Sequence, residues 1–277
     1  MALSGTFDTR LVRPETTAGV GAQALLLVLL GTVLGLGPAG WLAGLVFTFA
    51  TWAVLTRALR RSWPGRMSFG PANGVTLART VLVGGVTALV ADSFVNGTPL
   101  SGVSLVSEPP LAVMVALTAV ALVLDCVDGQ VARRTGSESP LGARFDMEVD
   151  AFLILVLSIH VATFLGPWVL LIGAMRYAFV GAARFLPWLN GPLPPSMARK
   201  TVAALQGIVL LVAGAGIMPL AVAAVMVAAA LAALVWSFAR DIGGLWRSGS
   251  RVGDGGNGGS SGADGAVVVR ETSHAGV

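Results

Sequence analysis

The chain has 277 residues, 55% of them hydrophobic and 12% charged, and its mean hydropathy of +0.81 excludes an ordinary soluble globular domain. Its formal charge of +4 is small enough that the placement of Lys and Arg relative to a bilayer matters more than their sum. A single cysteine, Cys126, excludes an intrachain disulfide.

The apolar stretches predict eight membrane-spanning helices near 19–36, 40–57, 75–93, 111–128, 146–165, 167–187, 201–215 and 217–238. Each approaches the roughly 20 residues that cross a hydrocarbon core, and no alternating strand pattern competes with them. The fold class is therefore all-α, a polytopic membrane helix bundle. The first apolar stretch runs directly into the second, so it is expected to remain as an anchor and not to be cleaved as a signal peptide. Both early spans carry small residues, at Gly31 and Gly35 and again at Gly40 and Gly44, a spacing that lets helix backbones approach closely.

Eight spans put both termini on one side. The connections at Gly37-Pro38, Gly166-Pro167 and Gly216 hold no Lys or Arg, and neither does the loop 94–110. The opposite ends collect Arg10 and Arg13, then Arg57, Arg60, Arg61 and Arg66, then Arg133, Arg134 and Arg144, then Arg199 and Lys200, then Arg240, Arg247 and Arg251. The positive-inside rule makes that side cytoplasmic, so the basic balance reports orientation and contact with anionic lipid, with no nucleic-acid partner. The protein is expected to be integral to the cell membrane, with both termini and the active site on the cytoplasmic side.

Four carboxylates stand where that side meets the fourth and fifth spans: Asp125, Asp128, Asp146 and Asp150. Asp costs about 2.5 to 3.5 kcal/mol at the centre of a membrane helix and less near its end, so four together require a cation or a wet cavity. Asp125 and Asp128 lie at i and i+3, and Asp146 and Asp150 at i and i+4, so each pair shares a helix face. Oxygen-only ligands suit hard cations, Mg²⁺, Mn²⁺ or Ca²⁺, over zinc. Two such ions would clamp the attacking and leaving oxygens of a phosphoryl displacement. Helix caps or pairing with Arg133, Arg134 and Arg144 would explain one or two of these acids. They do not explain two spaced pairs accompanied by Gly129 and Gly142, which permit close approach of a ligand to the backbone.

The run DCVDGQVARRTGSESPLGARFDMEVD resembles the CDP-alcohol phosphotransferase (CDP-alcohol phosphatidyltransferase) signature D-x2-D-G-x2-A-R-x8-G-x3-D-x3-D. Asp125, Asp128, Gly129, Ala132, Arg133, Gly142, Asp146 and Asp150 fill every fixed position. The resemblance implies a six-helix core with a dinuclear metal site holding two Mg²⁺ or Mn²⁺ ions, commonly in a homodimer. In that family the first three aspartates bind metal, and the fourth, here Asp150, is placed as general base and also near the metals. The domains then read as a cytoplasmic segment 1–18, two additional helices at 19–57, a catalytic core at 70–240 and a disordered Gly/Ser-rich tail at 241–277. Asn73, Thr76 and Arg79 are similar to the N-x2-T-x2-R element that borders the family's nucleotide pocket, although Ala72 separates Pro71 from Asn73 where the family often has Pro directly before Asn. Small Gly129 and Ala132 leave room for the nucleotide, and Arg133 serves either as a phosphate contact or as a topological anchor.

Arg176 lies inside the sixth span, where an ionised side chain is by default a functional candidate. With Arg184, Arg199 and Lys200 it would form a basic pocket for an anionic acceptor, the alternative for the last three being positive-inside anchoring. Arg199-Lys200-Thr201 with Gln206 resembles a Lys-Thr element of members that make phosphatidylglycerophosphate, but it is shortened, and Ala151 follows Asp150 where those members carry Lys. The expected reaction moves a phosphatidyl group from CDP-diacylglycerol to an alcohol, a polyol phosphate such as inositol phosphate or glycerol 3-phosphate, with release of CMP. The alternatives are a cation transporter using the same carboxylates and a family member using a different CDP-alcohol donor. His160 and His274 read as structural or solvated histidines.

Overall fold

The computed structural model describes residues 14–61, 71–95, 108–135, 140–186 and 197–254. Its eight α-helices are α1 (Pro14–Leu34), α2 (Pro38–Arg61), α3 (Pro71–Val95), α4 (Pro109–Thr135), α5 (Pro140–Leu165), α6 (Leu170–Phe185), α7 (Met197–Gly214) and α8 (Leu220–Asp254), with a 3₁₀ turn at Pro167–Val169 before α6. Among the described residues there is no strand. The polytopic all-α class and the two additional N-terminal helices are as the sequence leads one to expect.

Proline marks the starts. It opens α1, α2, α3, α4 and α5, where its missing N–H costs nothing and its fixed φ suits the first helical turn. Glycine marks three of the stops. Gly35, Gly166 and Gly216 have φ of 71°, 102° and 65°, a region that only glycine enters freely. These turns join α1 to α2, α5 to the 3₁₀ turn and α7 to α8. The left-handed residue of the first turn is Gly35, just ahead of Gly37-Pro38, and the Gly35 N–H still donates to the Gly31 carbonyl at 3.2 Å.

Among the described residues, six helices contain apolar stretches long enough to cross a membrane: Thr17–Leu34, Gly74–Val95, Pro109–Val127, Ala143–Leu165, Pro167–Phe185 and Leu220–Gly244. The stretches Pro38–Val54 and Thr201–Gly214 are shorter. The helix of α8 runs to Asp254 and so includes the first part of the expected tail, while 255–277 and 1–13 lie outside the described residues.

Helix α3 packs against α1, α2, α4 and α5, and α5 also packs against α6 and α7. Val83, Val86, Leu111, Met114, Leu157 and Leu210 are fully buried where these helices meet. Large apolar side chains such as Leu25, Val33, Phe49, Val123, Val225 and Trp236 point outward and stay exposed, as a lipid-facing surface requires. Polar side chains inside the bundle bond locally. Thr118 and Ser158, both fully buried, donate to the Met114 and Ile154 carbonyls at 2.8 and 2.7 Å. Two buried side chains reach carbonyls of neighbouring helices: Gln206 Nε2 donates to the Ala230 carbonyl at 2.9 Å, and His160 Nε2 lies 3.2 Å from the Gly214 carbonyl.

The N-terminal hairpin α1–α2 is held to α3 at the far end from the acidic residues, where Asp92 Oδ1 accepts the Gly37 N–H at 2.8 Å. The small residues of this hairpin do pack closely. A Cβ at Gly31 would stand 2.6 Å from the Trp41 ring, one at Gly44 2.5 Å from Leu27, and one at Gly40 2.9 Å from the Ala88 carbonyl of α3. Gly35 instead serves the turn.

The tightest approach to a neighbouring backbone is between α5 and α6, where a Cβ at Gly173 would lie 2.5 Å from Leu155 Cα. Gly181, two turns along α6, has open space where its Cβ would be. Gly173→Ala is expected to lower unfolding stability in detergent by about 1 to 3 kcal/mol through helix displacement. Gly181→Ala is expected to leave it unchanged or raise it by up to about 1 kcal/mol. Parallel denaturant titrations of the two variants measure the contrast, and equal effects would mean that the helices are not in close contact at Gly173.

Candidate metal and active site

The acids are delivered by two neighbouring helices and answered by a third. α4 carries Asp125 in the last turn of its apolar stretch Pro109–Val127, and α5 carries Asp146 and Asp150 in the first turns of Ala143–Leu165. One oxygen each from Asp125, Asp146 and Asp150 lie within 4.8 Å of one another. The i and i+4 spacing thus aims two carboxylates of α5 at the one presented by α4. Asp128 stands one turn beyond Asp125 on α4, but its side chain is outside the described residues.

Arg79 of α3 enters the centre of this cluster. Its side chain is 1% exposed. Nη1 pairs with Asp125 Oδ1 and Nη2 with Asp146 Oδ1, and Nη2 also lies 3.1 Å from Asp150 Oδ1 and 3.4 Å from the Asp146 carbonyl. Three carboxylates this close repel one another, and a planar guanidinium with several donors is the side chain best shaped to bind more than one of them. A buried cation in turn needs such partners to offset its desolvation. The carboxylates keep 35%, 30% and 37% of their side-chain surface for Asp125, Asp146 and Asp150, so the site is open on the side away from Arg79.

The other expected site residues fall into three groups. Thr76 lies one turn before Arg79 on α3 and is buried, which puts both on the side of α3 near the acids; its carbonyl accepts the Thr80 hydroxyl at 2.7 Å. Asn73 opens the same helix, Gly129, Ala132 and Arg133 lie on the last turns of α4, and Gly142 lies at the start of α5, but the side chains of this group are outside the described residues. Arg176 of α6 pairs with Glu148 at 2.6 Å, Arg184 is exposed in the last turn of α6, and Arg199 and Lys200 open α7 with side chains outside the described residues.

Glu148 is the residue that motif reading passes over. It lies on α5 between Asp146 and Asp150, two positions from each, so it leaves the helix on a different face and meets Arg176 instead of the cluster. Its signal was present as an extra acid inside an apolar span, with Arg176 deep inside the next span. His160 is buried beside the Gly214 carbonyl, consistent with a structural histidine, and Cys126 is exposed.

An all-oxygen set of this density fits a hard divalent cation. Together, a polytopic helical bundle and a carboxylate cluster at the ends of its apolar stretches define a membrane protein with a candidate cation site within reach of lipid. The family model for CDP-alcohol phosphatidyltransferase matches residues 69–236, more than half of the chain and the whole span from α3 into α8. The chain belongs to the CDP-alcohol phosphatidyltransferase family, and it is a membrane-embedded transferase of substituted phosphate groups. Members of this family depend on divalent metal, and the acidic triad fits that requirement. Neither a curated protein nor a solved structure matches the chain.

The different faces taken by Asp146 and Glu148 predict different effects of neutralising them. Asp146→Asn is expected to weaken Mn²⁺ binding by roughly tenfold or more, the loss of one charged ligand, and Glu148→Gln to leave it within about twofold because an exposed pair contributes little. Titration calorimetry or Mn²⁺ electron paramagnetic resonance on the purified protein measures both. Equal weakening by the two substitutions would contradict the assignment of the cluster as the ion site.

Proposed function

We propose that this enzyme transfers the phosphatidyl group of CDP-diacylglycerol to a hydroxyl of a phosphorylated polyol, such as inositol phosphate or glycerol 3-phosphate, releasing CMP. The observation that carries this reading is the convergence of Asp125, Asp146 and Asp150 within 4.8 Å, in a chain whose family uses a CDP-alcohol donor. Asp125, Asp128, Asp146 and Asp150 would hold two Mg²⁺ or Mn²⁺ ions. When bound, such ions neutralise pyrophosphate charge and stabilise the departing CMP.

The chain's own residues supply the remaining steps. The acceptor oxygen attacks the phosphorus that bears the diacylglycerol, a new P–O bond forms, and the P–O bond to CMP breaks. The acceptor's proton passes to a carboxylate of Asp150. Asp150 suits that role because it is the least tightly held of the three acids, 3.1 Å from Arg79 Nη2, and so keeps an oxygen able to accept a proton. Asn73, Thr76 and Arg79 border the nucleotide on α3, Gly129, Ala132 and Gly142 leave space for it, and Arg133 contacts its phosphates.

Arg176 and Arg184 on α6, with Arg199 and Lys200 at the start of α7, form the proposed subsite for the acceptor's phosphate. The Arg176–Glu148 pair is partly exposed, so an incoming phosphate can replace Glu148 at little cost. The Arg-rich helix ends Arg57, Arg133, Arg134 and Arg144 support a cytoplasmic site, where a soluble acceptor and a membrane donor meet. The family commonly works as a homodimer, and this chain is proposed to do the same.

Purified enzyme with CDP-diacylglycerol, Mn²⁺ and a panel of acceptors is the direct test, following CMP by chromatography and the lipid product by mass spectrometry. A phosphorylated polyol is expected to give stoichiometric CMP and phospholipid. Asp150→Asn is expected to slow the reaction by about 10²- to 10⁴-fold, the usual contribution of a positioned base, and Arg184→Ala to raise the acceptor KM with little change in kcat. Metal flux into vesicles without CMP formation would favour a transporter instead, and activity only with a free alcohol such as serine would overturn the proposed acceptor class.

A further inference from the structure

Arg79 occupies the point on which the acidic cluster converges. It engages one oxygen of each of Asp125, Asp146 and Asp150, and those three acids are also the described residues grouped closely enough to ligate a metal. One guanidinium balances one of three negative charges, so the cluster still attracts cations strongly. A guanidinium at the centre of the cluster and a divalent ion on the same oxygens would be two positive groups only a few ångströms apart in a site sealed on the α3 side. Like charges at that range in a partly desolvated site repel strongly, and both draw on the same three carboxylates.

On the reading of these acids as the metal site, we infer that Arg79 is a built-in counter-ion that alternates with the divalent ions. It holds the three carboxylates of α4 and α5 together, and ion loading displaces its guanidinium from the cluster. The side chain has a second use once displaced. Its fork binds phosphate oxygens bidentately, and Thr76 lies one turn away on the same buried side of α3. Metal loading thereby turns a residue that neutralises the acids into one that receives the anionic donor, so ions bind before the donor does.

The test uses the full-length protein in detergent. Mn²⁺ affinity is measured for the wild type, Arg79→Lys and Arg79→Met, and phenylglyoxal labelling of wild-type arginines is mapped by mass spectrometry with and without saturating Mn²⁺. Exposed Arg184 serves as the internal reference. Arg79→Met is expected to bind Mn²⁺ roughly tenfold or more tightly, since a repelling charge is gone, with Arg79→Lys intermediate. Its melting temperature is expected to fall without metal and to recover with it. In the wild type, Arg79 is expected to be protected without Mn²⁺ and to become reactive on saturation, while Arg184 labels equally in both.

Unchanged labelling of Arg79 on saturation would overturn the inference, because the guanidinium would have stayed in place. So would weaker Mn²⁺ binding by Arg79→Met, which would make Arg79 a support for the ions. If neither variant folds, the wild-type labelling decides alone. A wild type that binds no Mn²⁺ overturns the metal reading itself and the inference with it, an outcome distinct from metal binding that leaves Arg79 untouched.

Discussion

The contact between one arginine and three aspartates is the constraint around which the bundle is arranged. Carboxylates at the edge of a hydrocarbon layer are tolerated only when a cation or water shares the site. Here the cation comes from α3, the acids from α4 and α5, and the contact fixes the relative height and rotation of all three helices. Because Arg79 is 1% exposed, slipping any of these helices by one residue would leave a buried charge without its partners, a change that costs several kcal/mol in known cases. Pairs such as Arg176–Glu148, with both partners substantially exposed, exert no comparable control.

Around that contact the bundle uses two kinds of adhesive suited to a lipid solvent. Lipid tails are as apolar as leucine, so helices associate through close packing and interhelical hydrogen bonds more than through exclusion of water. Gly173 against the backbone of Leu155 and Gly40 against the Ala88 carbonyl are of the first kind. Gln206 to Ala230 and Asp92 to Gly37 are of the second. The last of these matters for the additional hairpin. It fastens the α1–α2 turn to the end of α3 away from the acids, while Gly19 against Leu77 and Phe47 against Phe152 pack the same hairpin along α3 and α5 near the level of Arg79 and Asp150.

The open side of the carboxylate cluster is what makes a transferase of the arrangement. The site lies where apolar stretches end, so the proposed lipid donor can approach laterally and the proposed acceptor from the aqueous side. Residues of the proposed acceptor subsite sit on α6 and the start of α7, and α5, which carries Asp146 and Asp150, packs against both helices.

Much of this was legible in the amino-acid sequence because its signals are local. Apolar runs of spanning length and glycines at turns each act within a few residues, and they located all eight helices, although α4 and α5 extend six or seven residues beyond the expected spans at their charged ends and α8 continues to Asp254, well past the expected 238. The aspartate spacing was equally local, since i and i+3 or i+4 on a helix is itself a statement about direction. What sequence could not determine was which charges meet across helices. Arg79 lies 46 residues from Asp125, and its motif pointed to the nucleotide with no indication that the guanidinium would bridge the acids. Glu148 was overlooked for the same reason, because a rotation of two residues around α5 sends it to Arg176 and not to its neighbours' cluster. Helix identity follows from short-range propensity and the length of apolar runs, but the pairing of buried charges depends on the rotation and depth of each helix, and only packing of the whole bundle decides those.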